Sequence, residues 1–193
     1  GSTLLKLFLF LLGLAVALAL STSLSGRWPS VPPPASYAAG DLNGDGIDED
    51  YYLQGGTLQV KQGGRRLWVS PPEWKVQQFL LAEVTNDGQQ DLVMVLWKKG
   101  SFGPHRPFWH RGKDNAYTNH LFVYNLLDQH FHPVWCSSAL DYPIARLEIM
   151  DINGDGQNEL EADEQSPWLQ RVFLQKTPPT VWQWQQWGFY RLE

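Results

Sequence analysis

From residue 41 onward, short apolar and β-branched runs alternate with clusters of Gly, Pro, Asn and Asp. The runs Asp50–Gln54, Thr57–Gln62, Arg65–Ser70 and Val76–Val84 are divided by Gly55-Gly56, Gly63-Gly64 and Pro71-Pro72. That punctuation predicts four short strands. Asp91–Trp97 (DLVMVLW) is almost wholly apolar and predicts a buried strand. His120–Leu126, His130–Ser138 and Ala145–Ile152 predict three more. Glu159–Glu164, Gln170–Lys176 and Thr180–Glu193, the last divisible at Gly188, predict a third group. Four strands in a meander make one propeller blade. The expected class is therefore all-β, a propeller-like array of about three four-stranded blade units. Regular propellers have four or more blades. The expectation is a small, open or incomplete β-propeller, completed by the segment near Trp28–Ala39 or by a partner.

The N-terminal part has a different pattern. Leu7–Leu20 runs for 14 residues without a charged or polar side chain, after Lys6 and before small polar residues. A positive start, an apolar middle and small residues at Ala17-Leu18-Ala19 make a secretory signal. Counting Leu4 and Leu5, the run also approaches the ~20 apolar residues of a membrane span. Residues 1–25 are thus expected to be a signal peptide or a signal-anchor helix. Either places the rest outside the cytoplasm, secreted or membrane-anchored. Residues 26–40, with Pro29, Pro32, Pro33 and Pro34, read as a stiff spacer or first strand. Residues 41–193 form the repeat domain, with an insertion at 97–120.

Three acidic runs introduce the strand groups: DLNGDGIDE from Asp41, EVTNDGQQD from Glu83 and DINGDGQNE from Asp151. Their first residues are 42 and 68 residues apart, and 42 more lead to the C-terminus. Such a spacing belongs to propellers or solenoids. Oxygen-bearing side chains recur at positions one, three, five and nine, with Gly46, Gly88 or Gly156 at six. Calcium takes six to eight oxygens at about 2.3–2.6 Å, so a loop of this spacing can wrap one ion. Glycine at six permits a sharp turn through positive φ. The expected ligands are Asp41, Asn43, Asp45, the Ile47 carbonyl and Glu49 in the first loop. In the third they are Asp151, Asn153, Asp155, the Gln157 carbonyl and Glu159. The second offers Glu83, Asp87 and Asp91, but departs from the pattern at Glu83 and Thr85. An EF-hand would need glutamate at position twelve and flanking helices. Here position twelve is Tyr52, Met94 or Ala162, and strands follow.

The segments DLNGDGIDED, EVTNDGQQDL and DINGDGQNEL resemble the calcium loops of FG-GAP/VCBS-type repeats, as in integrin-α-like β-propellers. The resemblance covers roughly residues 36–193 as a repeat pattern. It implies a β-propeller in which calcium is structural, on a scaffold that serves adhesion, scaffolding and enzymes alike.

Charge adds a second candidate site. The chain carries a net charge of -5, which argues against nucleic acid as a partner. Five of its 15 basic residues nevertheless fall in the insertion, as Lys98, Lys99, Arg106, Arg111 and Lys113. His105, His110, Phe102, Phe108 and Trp109 lie among them. Basic side chains mixed with aromatics suit an anionic polymer, a glycan, lipid head groups or an acidic envelope protein. The candidate partner-binding residues are Lys98, Lys99, His105, Arg106, Trp109, His110, Arg111 and Lys113. The histidine spacing matches no zinc motif, and no nucleophile or phosphate-loop motif occurs. One cysteine, Cys136, excludes an intrachain disulfide. The expected protein is an extracytoplasmic, calcium-stabilised, non-catalytic binding or scaffold module. Self-association that covers its open sheets is a further expectation. A carbohydrate-binding or carbohydrate-active surface protein using the insertion is the alternative.

Overall fold

The computed structural model describes residues 35–103, 105–165 and 178–192. The apolar N-terminal run, the proline-rich residues up to 34 and the strand expected at 170–176 lie outside them. Among the described residues there is no helix, so none is long and apolar enough to cross a membrane.

Among the described residues, twelve strands form three four-stranded antiparallel sheets. The first contains β1 (Ser36–Gly40), β2 (Glu49–Gln54), β3 (Thr57–Gln62) and β4 (Arg65–Val69) in that order. The second contains β5 (Lys75–Ala82), β6 (Asp91–Lys99), β7 (Tyr117–Leu127) and β8 (His130–Cys136). The third contains β9 (Ile144–Met150), β10 (Glu159–Glu164), β11 (Thr180–Gln185) and β12 (Gly188–Leu192). The division at Gly188 is as expected. All three are meanders, and the arrangement is propeller-like.

The phase of the repeat differs from the expected one. Val76–Ala82 belongs to the second sheet rather than the first, and Ile144–Met150 opens the third rather than closing the second. The acidic loops do not precede a blade; each joins its first strand to its second. Antiparallel pairing forces this choice, because the residue before each loop pairs with its ninth residue. The pairs are Gly40↔Glu49, Ala82↔Asp91 and Met150↔Glu159. Ser36–Gly40 then supplies the strand that completes the first sheet.

The second sheet is covered on both faces. Along β6, Leu92, Met94 and Leu96 enter a core shared with the first sheet. Val93 and Val95 enter a separate core shared with the third. β7 divides in the same way, with Phe122, Tyr124 and Leu126 on one side and Leu121 and Val123 on the other. Side chains alternate across a strand, so a strand buried on both faces must be apolar at every position. That accounts for the unbroken DLVMVLW. A register shift between Val76 and Gln78 turns two glutamines of β5 toward β9. Gln78 closes a pair of bonds with Leu147, donating at 2.7 Å and accepting at 2.9 Å. The Gln77 amide donates to the Ile144 and Ala145 carbonyls at 3.0 Å.

Candidate metal centre

The first and third loops share most of their internal hydrogen bonds. Asp41 accepts hydrogen bonds from the Asp45 amide at 3.1 Å and the Gly46 amide at 2.8 Å. Asp151 accepts from the Asp155 and Gly156 amides at 3.1 and 2.9 Å. Asn43 and Asn153 accept from the amide two residues on, at 2.9 and 2.8 Å. Asp45 and Asp155 do likewise with the Ile47 and Gln157 amides, at 2.9 and 2.8 Å. These bonds wind the acids inward, and the position-six glycines take φ of 84° and 87°. A side chain at that φ would be strained.

The ninth residue has a role that its place in the pattern does not reveal. Glu49, Asp91 and Glu159 are all fully buried. Each gives one carboxylate oxygen to the backbone amide of its loop's second residue. The partners are Leu42 at 2.9 Å, Val84 at 3.2 Å and Ile152 at 2.9 Å. The acid therefore ties the loop to the sheet and leaves its second oxygen for the loop interior. Burial raises the Glu49 carboxyl above the usual range and pushes Asp91 up to about 6. Asp45, hydrogen-bonded by the Gln62 amide, is lowered.

In the first loop, carboxylate oxygens of Asp41, Asp45 and Glu49 lie within 4.8 Å of one another. The Gln62 side chain on β3 faces this group. Its Nε2 stands 2.9 and 3.1 Å from the two Asp45 oxygens, 3.0 Å from the Ile47 carbonyl and 3.1 Å from Glu49 Oε1. Among the described residues this is the one such group of three acids. In the third loop the Asn153 amide lies between the acids, 3.0 Å from Asp155 and 3.2 Å from Glu159. Hard oxygen donors of this kind fit calcium better than a transition metal. The residues present fit such an ion.

The second loop keeps the Asp87 bond to the Gln89 amide, at 2.9 Å. Glu83, one methylene longer than aspartate, accepts from the Thr85 and Asn86 amides at 2.9 and 2.5 Å. Asn86 takes a φ of 59° where the other loops have glycine. Thr85 donates its hydroxyl to Asp91 at 3.0 Å. The second and third loops lie side by side, linked by Asn86 to Gln157 at 2.7 Å and by Asn158 to the Glu83 carbonyl at 2.8 Å.

The insertion is shorter than expected. β6 continues to Lys99 and β7 starts at Tyr117, leaving residues 100–116 as the loop. Lys98 is buried, and its ammonium donates to the Lys99, Gly100 and Phe102 carbonyls at 3.1, 3.4 and 2.7 Å. It secures the loop's own backbone, where the sequence pattern placed it in the partner-binding patch. Asp114 holds the other end through the Ser101 amide and hydroxyl, at 2.8 and 2.9 Å. Lys99, His105, Arg106, His110, Arg111 and Lys113 are exposed. Phe108 and Trp109, 90% and 70% exposed, meet edge to face at 4.9 Å.

His120 is buried beneath this loop, with Nδ1 3.1 Å from the Ser137 carbonyl and Nε2 2.9 Å from Thr118 Oγ1. Desolvation lowers its pKa from 6.5, against the raising effect of the Ser137 carbonyl. Its contribution to stability is therefore complete above about pH 6.5 and falls below it, because the unfolded ring takes up a proton first. Urea unfolding at pH 7.5 and 5.5 is expected to show this loss, and a smaller one in His120→Gln. The Cys136 thiol, pushed up to about 12 by burial, stays protonated.

Comparisons with models of known protein families, with curated proteins and with solved structures find no match.

Proposed function

We propose that this chain is a calcium-stabilised, non-catalytic binding or scaffold module of the FG-GAP/VCBS type, working outside the cytoplasm as a small propeller. One observation carries the reading. The Asp41, Asp45 and Glu49 carboxylates converge within 4.8 Å on the hairpin that joins β1 to β2. Three carboxylates so close repel one another, and a divalent cation relieves that repulsion. Its role would be structural, joining the first two strands of a blade. Extracellular modules bind calcium at roughly 10⁻⁴–10⁻³ M, matching the concentrations outside cells. The exposed tip of the insertion, Phe108 and Trp109 among Arg106, Arg111 and Lys113, would meet an envelope protein or an anionic polymer. The same aromatic pair supports the carbohydrate-binding alternative, since a sugar ring can stack on it.

The test is thermal unfolding of the protein with calcium, with magnesium and with chelator. Calcium at about a hundred times its dissociation constant should raise stability by about 2.7 kcal/mol. Asp45→Ala and Asp155→Ala should reduce the rise. Equal curves in calcium and chelator would make the loops simple turns.

A further inference from the structure

Each acidic loop faces a carboxamide from the third strand of its own sheet. In the first sheet it is Gln62, paired in register with Glu49. In the third, the pair Leu160↔Trp182 puts Gln183 next in line opposite Glu159, and Gln183 Nε2 lies 3.2 Å from Glu159 Oε1. In the second, the pair Leu92↔Tyr124 puts Asn125 next in line opposite Asp91. The lengths change together: Gln faces Glu twice, and the shorter Asn faces the shorter Asp.

In two places these amides meet more acceptors than donors. Gln62 Nε2 has two hydrogens but four oxygens within 3.1 Å. Two N–H groups cannot satisfy four acceptors. A point collecting four oxygens is a cation's position. In the second sheet, Asp91 Oδ1 and Asn125 Oδ1 are both buried without a hydrogen-bond partner. Asp91 is fully buried, and its Oδ2 is already engaged by the loop through Val84 and Thr85. An orphaned buried acceptor is costly, more so when charged, and a cation beside these oxygens would supply the missing partner.

We infer that the third-strand carboxamides Gln62, Asn125 and Gln183 are cation ligands; Gln62 and Gln183, whose Nε2 atoms face the acids without an ion, would turn their amides over to present the oxygen to the ion held by the facing loop. The second loop is then a full site, moved toward the sheet. Its position-one acid, Glu83, is one methylene longer, while Asp91 and Asn125 are each one shorter. The ion would tie three strands of a blade rather than two. The inference rests on the proposed cation role of the loops.

Calorimetric titration of calcium chloride into the chelator-stripped full chain tests it. The unaltered protein should bind three ions, and Asn125→Leu two. Gln62→Leu should weaken one site about tenfold, the order expected for losing one ligand or its support. Asn125→Asp keeps the test open if the leucine variant does not fold. It adds charge at the ligand position and should tighten one site while leaving the others unchanged. Unchanged stoichiometry and affinity in the amide variants would overturn the inference. If binding were then still lost in Asp45→Ala and Asp155→Ala, the loops would remain metal sites. No binding by the unaltered protein would overturn both readings.

Discussion

Replacing Tyr51 by alanine is expected to lower the unfolding free energy by about 3–5 kcal/mol, the range for deleting a large buried aromatic. Tyr51 lies on β2 of the first sheet and is fully buried. Its ring stacks on Phe79 of β5 at 6.1 Å and meets Phe131 of β8 edge to face at 6.5 Å. Both neighbours belong to the second sheet, so the lost volume lies at the contact between sheets. Collapse there would require whole sheets to move, which favours the upper part of the range. The hydroxyl is only 3.5 Å from Glu49 Oε2, too long for a strong bond. Tyr51→Phe should therefore cost less than about 1.5 kcal/mol. Urea titration of the three proteins decides. A midpoint shift at constant slope means lost stability, whereas a changed slope means that the first sheet has separated as its own unit. A loss below about 1 kcal/mol in Tyr51→Ala would show that the two sheets do not share this core.

The second large effect separates tryptophans that build the fold from those free to meet a partner. Trp74 is 7% exposed, and its ring meets Phe122 at 5.2 Å and Tyr124 at 6.3 Å, both edge to face. Trp74→Ala should cost about 3–5 kcal/mol. Trp109 and Trp187 are 70% and 71% exposed, and their alanine variants should stay within about 0.5 kcal/mol of the parent. Chemical denaturation of the three variants measures the contrast. A destabilisation of several kcal/mol in Trp109→Ala would show that the tip of the insertion packs against the domain and is not free to bind. Near-neutral stability combined with lost partner or glycan binding would support the proposed use of the tip.

These contrasts show which features are local. Composition places ten tryptophans in the chain but does not sort them. Trp74 and Trp109 each lie two residues after a proline. One becomes core because β7 passes beneath it, and the other stays on the loop between β6 and β7. Lys98 reads as part of a basic binding patch, and His120 as the last residue of the insertion. They are buried because the strands extend to Lys99 and start at Tyr117, turning both toward the backbone of the loop.

The sequence by itself determined the all-β class, the three strand groups and the acidic hairpins. Those features depend on residues close together in the chain: alternating apolar positions, paired glycines, and oxygen-bearing side chains two residues apart that bond to nearby amides. The unbroken run of β6 also announced a strand covered on both faces. Tertiary structure alone decided where each blade begins, because either strand flanking a loop can be assigned to either group until antiparallel register pairs them. It also decided the carboxamides facing the loops. Gln62, Asn125 and Gln183 follow their ninth-position acids by 13, 34 and 24 residues, so no fixed spacing marks them. Only the pairing of the second and third strands, set by side-chain packing on the two cores, brings each amide to its acid.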